Sequence, residues 1–123
     1  MDKMKIVLTS FGHKYGVPQA DIVLDMRCLE NPFWVPELKA LNGLEVPVQR
    51  YIFDDPRSAD YIEKLSQLLR THAALAAGRN TPCLHIAVGC TGGRHRSVAV
   101  TEFLARELRE YAPQVVHRDI EKG

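Results

Sequence analysis

Leu84-His-Ile-Ala-Val-Gly-Cys-Thr-Gly-Gly-Arg-His-Arg-Ser97 is the stretch that decides the fold. Leu84, Ile86, Ala87 and Val88 form a short apolar run that stops at Gly89, and from Arg94 onward Val98, Thr101, Leu104, Ala105 and Leu108 recur at helical spacing. The segment therefore reads as a buried strand, a glycine loop and a helix. Gly92 and Gly93 let the backbone turn tightly and come close to a ligand, so that successive N–H groups point into one concavity. The first turn of the helix adds unpaired N–H groups and the positive end of its dipole, with Arg94, His95 and Arg96 beside it. Cys90, Thr91, Gly92, Gly93, Arg94, His95, Arg96 and Ser97 are thus the candidate phosphate-binding set. Arg96 is the better candidate for a two-pronged grip on phosphate, and Arg96→Ala is expected to cost binding far more than folding.

The same letters support a second chemistry. Cys90, any five residues, then Arg96-Ser97 is the spacing of the phosphate loop in cysteine-dependent phosphatases. In that reading Cys90 is the nucleophile, Arg96 and the loop amides hold the phosphoryl oxygens, and Ser97 assists the leaving thiolate. Such enzymes usually have His before the cysteine, where this chain has Gly89, and they need an acid for the leaving group, for which only Asp54 and Asp55 offer themselves. The plainer reading of Cys90 is a small, partly buried residue lining an anion loop.

Working outward, 123 residues make one domain, 1–123, long enough for a real core. Sixteen Lys and Arg against fifteen Asp and Glu give a net charge of +1, so there is no global basic field for nucleic acid, and any RNA affinity must come from a local patch. Cys28, Cys83 and Cys90 are odd in number and lack metal-site or redox spacing, which reads as free thiols in a reducing compartment. No apolar stretch approaches the roughly 18 residues that span a bilayer. A cytoplasmic protein without membrane association, metal or cofactor is the expectation.

Lys5-Ile-Val-Leu-Thr-Ser10 reads as the first strand, followed by the loop Phe11-Gly-His-Lys-Tyr-Gly16 with His13 and Lys14 at its tip. In an open parallel sheet the ligand crevice lies outside the carboxyl ends of the strands, which brings this loop toward Cys90. Alternatively, His13 and Lys14 belong to a solvated turn. Asp21-Ile-Val-Leu-Asp-Met-Arg27 reads as a second strand whose apolar run suits cover on both faces. Asp25 and Arg27 either pair with each other or leave Arg27 facing the crevice. Asn31-Pro-Phe-Trp-Val-Pro36 is a connection, its Trp either capping the core or walling a pocket.

Glu37–Gly43 reads as a short helix stopped by Asn-Gly, and Val46 to Phe53 as helical. A long helix starts at Asp55-Pro56 and ends at Gly78, with Tyr61, Ile62, Leu65, Leu68, Leu69, Ala73 and Ala76 as its apolar stripe. Gln114-Val-Val-His117 is a last short strand. The triplet His117-Arg-Asp119 occurs in kinase catalytic loops, but the other kinase elements are missing, and so is any Walker A pattern. Four strands alternating with helices predict an α/β layered domain with a mostly parallel sheet flanked by helices.

These residues carry a resemblance that runs nearly end to end. Phe11-Gly-His-Lys-Tyr-Gly16, Ala20-Asp-Ile-Val-Leu-Asp-Met-Arg27, Asn31-Pro-Phe-Trp34, Pro36-Glu-Leu38, Leu41-Asn-Gly-Leu44, Ile86 to Val98 and His117-Arg-Asp-Ile-Glu-Lys122 together resemble the C-terminal domain of the RapZ (YvcJ) family of RNase adapter proteins. The resemblance implies a domain related in architecture to sugar-phosphate enzymes. In some members that domain binds glucosamine-6-phosphate and a small RNA, which it presents to an endoribonuclease. It implies a phosphate site at the Cys90–Ser97 loop helped by His13, Lys14 and Arg27, and a shift in sugar specificity from Phe33, where some relatives carry a polar residue. Family members normally carry an N-terminal P-loop domain, and this chain is expected to stand without it and without nucleotide hydrolysis. The expected function is therefore that of a regulatory or adapter module rather than an enzyme. Its expected partners are a hexosamine phosphate, RNA or an RNase, and a second copy of itself; a cysteine phosphatase and a stand-alone RNA-binding domain are the alternatives.

Overall fold

The computed structural model describes residues 3–122 and places four parallel strands in the order β2-β3-β1-β4. In chain order the elements are β1 (Lys5–Gly12), β2 (Ile22–Asp25), α1 (Pro36–Lys39), α2 (Val46–Phe53), α3 (Pro56–Gly78), β3 (Cys83–Cys90), α4 (Arg96–Glu107) and β4 (Gln114–His117), with 3₁₀ turns at His13–Tyr15, Pro32–Trp34 and Arg109–Tyr111. The α/β fold with a parallel sheet is as the alternation of apolar runs predicts. Among the described residues no helix is long and apolar enough to cross a membrane.

Period-two alternation decides which side of the sheet the helices cover. Ile22, Ile86, Leu8 and Val115 lie in one row across the four strands, and all four belong to or pack against the main hydrophobic core with α2, α3 and α4. The neighbouring row is Val23, Ala87, Thr9 and Val116, in which the central Ala87 and Thr9 are buried while Val23 and Val116 are 45% and 40% exposed. The apolar run in β2 does not mark a strand covered on both faces. β2 is an edge strand, it is shorter than 21–27, and its Val23 side chain faces outward.

The long helix is as its signals predict: Asp55 accepts a hydrogen bond from the Arg57 N–H at 3.0 Å, Pro56 follows, and the helix ends at Gly78. Its buried stripe is narrower than its apolar residues suggest. Ile62, Leu65, Leu69 and Ala73 are buried with Ser58 and Ser66, whereas Tyr61 and Leu68 point to solvent. Ser66 takes a slot on the buried side because its hydroxyl bonds Glu107 of α4 at 3.1 Å. The helix expected over 37–43 is a single turn, Pro36–Lys39, since Asn42 caps the Leu44 N–H and Glu45 reaches back to the Asn42 N–H, forming a turn instead. Likewise α4 begins at Arg96, because residues 91–95 are spent in the loop.

Register then positions the site. Phe11 pairs with Gly89 and Gly12 with Cys90, so β1 runs two residues past Ser10 and the carboxyl ends of the two central strands finish level. The loops that leave them emerge side by side, and the Lys14 N–H bonds the Thr91 carbonyl at 3.3 Å.

Candidate functional site

The loop between β3 and α4 is shaped by contacts that only glycine permits. Gly93 has φ +74°, and a Cβ there would strike the Gly12 N–H, the Phe11 carbonyl carbon and Asp119. Gly89 lies against the Phe11 ring, which fills the space that a side chain before Cys90 would need. A Cβ on Gly92, by contrast, would meet nothing within 4 Å. Gly92 is the open face of the loop, on a cleft of about 570 Å³.

That cleft is walled on one side by Cys90, Thr91, Gly92, Arg94, His95 and Arg96, and on the other by Asn31, Phe33, Trp34, Pro36, Lys39 and Ala40, with Lys14 and Lys122 at its rim. No carboxylate lines it among the described residues. Trp34 is 77% exposed and meets Phe33 edge to face, with ring centroids 5.1 Å apart, so the pair forms an apolar wall. Asn31 fixes this wall by accepting the Phe33 N–H at 3.1 Å. Of the two roles open to the only tryptophan, lining a pocket is the one the structure assigns.

Arg96 is only 4% exposed. Its Nη1 donates to the carbonyls of Arg27 and Leu29 at 3.0 and 3.1 Å, its Nη2 donates to Thr91 Oγ1 at 3.3 Å, and its Nε is buried without a partner. Both Nη groups of the guanidinium are thus engaged by the chain itself, so Arg96 is not the free two-pronged fork expected from the sequence, and only its Nε lacks a partner. Arg94 anchors itself through Nη2 on the Ala40 carbonyl at 2.7 Å and also has a buried Nε without a partner. His95, 7% exposed, has a buried Nε2 without a partner. Burial pushes the imidazole below its ordinary pKa, against the nearby carbonyls of Leu41, Leu38 and Lys39, which favour the charged form. Arg94 and Arg96 therefore each hold a buried N–H without a partner, with the buried His95 Nε2 between them, along one cleft.

Cys90 is buried with its Sγ accepting the Ser97 N–H at 3.4 Å and its thiol 3.2 Å from Ser97 Oγ. Ser97 thus supports the loop from behind, and so does Gly93. His13 and Arg27 stand beside the cleft rather than in its wall. Arg27 forks onto Asp25 at 2.7–3.1 Å, and His13 Nε2 is 3.7 Å from the same carboxylate. The Arg27 bonds, with a smaller contribution from His13, lower the Asp25 carboxyl to about 2. Asp54 and Asp55, the acids considered for a phosphatase, end α2 and cap α3, and neither lines the cleft.

Lys39 and Lys122 were not legible as site residues. Lys39 Nζ lies 4.6 Å from the centre of the Phe33 ring, which places its charge at the aromatic wall. Lys122 arrives from the other end of the chain through Asp119, whose carboxylate is fully buried. Asp119 accepts the Gly12 N–H at 2.8 Å, three hydrogen bonds from Arg118 and an ion pair from Lys122 at 2.7 Å. Burial works to raise this carboxyl, but those bonds prevail and bring it to about 2. The His117-Arg-Asp119 triplet is a clasp between the chain's last turn and the end of β1.

The description of the RapZ C-terminal domain fits residues 4–121 of this chain. A nucleotide-binding protein of Desulforapulum autotrophicum is 48% identical over 122 residues, which are 97% of this chain and 42% of that protein. Another of the same name from Streptomyces avermitilis is 45% identical over 121 residues, 96% of this chain and 40% of its own length. A third, from Bacillus thuringiensis, is 42% identical over 120 residues, 96% and 41% of the two chains. The chain spans about two-fifths of the length of these curated relatives.

Proposed function

The chain belongs to the RapZ C-terminal domain family, and from that premise we propose that it is a regulatory module that binds a small phosphorylated ligand in the cleft beside the Cys90–Ser97 loop. The observation that carries the reading is the run of three buried nitrogens, Arg94 Nε, His95 Nε2 and Arg96 Nε, without a partner among the described residues, two of them guanidinium donors. Leaving a buried donor unpaired costs about 1–3 kcal/mol, more when it is charged, so two guanidinium donors at one spot mark a place where an acceptor belongs. A phosphoryl group supplies several acceptor oxygens at once, next to the first turn of α4. The volume suits a sugar phosphate, and the Phe33–Trp34 wall offers an apolar face to the sugar ring.

Glucosamine-6-phosphate, the ligand implied by the family resemblance, is the reference compound. The relatives' name makes nucleotides the second class to test, although the sequence has no Walker A pattern and nucleotide hydrolysis is not carried over. A thermal-shift and calorimetry series with glucosamine-6-phosphate, hexose phosphates and nucleotides tests the reading. Ligand at a hundredfold its Kd stabilises by about 2.7 kcal/mol. The expected result is a rise in melting temperature that Arg94→Ala removes; no shift with any phosphorylated compound overturns the proposal. The adapter role belongs to the same reading: occupancy of the cleft is signalled to RNA or an RNase, which a mobility-shift assay with and without ligand would register.

The Cys90–Ser97 contact favours a second reading, the cysteine phosphatase. Cys90→Ser separates the two. In a phosphatase it abolishes turnover of an aryl phosphate while phosphate still binds, whereas in the binding module the wild type has no turnover to lose and affinity changes little. The second outcome is expected, because Gly89 replaces the usual His and no carboxylate among the described residues lines the cleft.

A further inference from the structure

Every group of fixed charge that lines the cleft is a cation. Lys14, Lys39, Arg94, Arg96 and Lys122 stand along it, and among the described residues no carboxylate does. Lys122 is paired with Asp119, which is buried outside the cleft wall, whereas Lys39 is exposed and has no carboxylate partner among the described residues. The acceptors along the wall are engaged as well. Arg94 donates to the Ala40 carbonyl at 2.7 Å, Arg96 to Thr91 Oγ1 at 3.3 Å, the Lys14 N–H to the Thr91 carbonyl at 3.3 Å, and the Phe33 N–H to Asn31 Oδ1 at 3.1 Å. An aromatic face is the remaining feature that could hold a cation. The Phe33 face is already occupied, since Lys39 Nζ stands 4.6 Å from its ring centre, and Trp34 is so exposed that water weakens such an attraction there. A cleft built in this way answers a ligand that brings acceptors.

We infer that the cleft selects phosphorylated sugars whose skeleton carries no ammonium group, a hexose phosphate over its 2-amino counterpart, with Lys39 as a residue that sets this preference. The inference rests on the phosphate site proposed above. With the phosphoryl group beside Arg94 and Arg96, the sugar ring lies toward Phe33 and Trp34, where the charge of Lys39 sits. A hydroxyl in that place accepts from a cation and donates to water. An ammonium only donates: on entering it gives up hydration, finds the acceptors of the wall taken, and is repelled by Lys39 and both arginines. The preference holds whichever edge of the ring carries the nitrogen, because no part of the lining among the described residues supplies a carboxylate. Glucosamine-6-phosphate, the reference compound, is then the weaker ligand of the pair.

The experiment is calorimetry with glucose 6-phosphate and glucosamine-6-phosphate, which differ by a hydroxyl and an ammonium at one carbon, at pH 7 and at pH 9. A sugar amine titrates near about 8, as an α-amino group does, so the ammonium dominates at the first pH and the neutral amine at the second. The readout is the ratio of the two dissociation constants. The wild type is expected to bind glucosamine-6-phosphate about fivefold more weakly at pH 7 and within about twofold of glucose 6-phosphate at pH 9. Lys39→Met, which keeps the length of the side chain without its charge, should lower the ratio at pH 7 to about two, and Lys39→Arg should keep it. Equal affinity at pH 7, or tighter binding of the amino sugar, overturns the inference. A ratio unchanged at pH 9 does so too, because shape rather than charge then decides. An undiminished ratio in Lys39→Met overturns the role of Lys39. Binding of neither compound overturns the phosphate site itself, and this inference with it.

Discussion

Replacing Arg96 by alanine tests whether this side chain belongs to the ligand or to the fold, and the geometry answers that it belongs to both. Its Nη1 is the partner of two carbonyls, Arg27 and Leu29, in the chain that leaves β2 and leads to the aromatic wall. A hydrogen bond from a charged donor contributes about 1.5–3 kcal/mol, and a buried acceptor left alone costs about 1–3 kcal/mol. The Leu29 carbonyl is in the buried part of this arrangement and stays unsatisfied in the variant, whereas water reaches the Arg27 carbonyl and restores part of its loss. A destabilisation of about 3 kcal/mol follows, or a fall of about 10 °C in melting temperature for a chain of this length. Urea unfolding gives the first number and a thermal melt the second, both without ligand. Arg96→Lys keeps one donor near the carbonyls and should lose about half as much. Ligand affinity falls in both variants, since the Nε edge is lost and the segment carrying Phe33 and Trp34 is loosened. A ligand-free stability loss under about 1 kcal/mol in Arg96→Ala would refute the reasoning and return Arg96 to the role of a free phosphate fork.

Three further outcomes are expected. Gly93→Ala should destabilise by about 3 kcal/mol or prevent folding, because φ +74° and the approach to Gly12 leave no room for a Cβ; a variant as stable as wild type by urea unfolding would contradict this. Asp119, lowered to about 2 from 3.8, stabilises the fold at any pH above its unfolded value, and that contribution is lost as pH falls from about 4 toward 2; acid titration followed by circular dichroism should show a shallower loss in Asp119→Asn. His95 has a folded pKa below its ordinary value, so the free protein favours the neutral ring, while a bound phosphate favours the imidazolium; binding should take up a proton and strengthen as pH falls from 8 to 6. Calorimetry in buffers of different ionisation enthalpy measures the uptake, and an uptake equal in His95→Gln would assign it to the ligand's own phosphoryl group.

What was legible in the sequence is what depends on neighbours in the chain. The central strand, its glycine loop and the capped helix α3 announce themselves by local apolar spacing and by Asp55-Pro56. Val23 shows what was not legible. Ile22-Val-Leu24 reads the same in a central strand as at an edge, and only the strand order β2-β3-β1-β4, a non-local fact, exposes one side of it. The site divides in the same way. Arg94, His95 and Arg96 could be found because a glycine pair and a helix start stand beside them, and the Gly12–Cys90 register carries Lys14 to the same cleft. Lys39 and Lys122 give no such signal, since an exposed lysine looks alike wherever it falls, and the triplet that fixes Lys122 matched a motif from an unrelated enzyme class.

The contacts around the loop also say which part of the cleft is rigid before a ligand arrives. Gly93 is pressed on Gly12 of β1, Gly43 rests on the start of α4 with its N–H bonded to the Arg94 carbonyl at 2.9 Å, and Gly89 lies on the Phe11 ring. None of these contacts fills the open face at Gly92, so the loop backbone is held in place by packing behind it. Little conformational freedom then remains for phosphate to remove, which is how preorganisation favours affinity. The outer wall is built differently: Trp34 and Lys39 are exposed and Lys14 lies at a surface turn, so these side chains keep freedom that a ligand touching them would remove. Lys122 is the exception, because Asp119 has already removed part of its freedom.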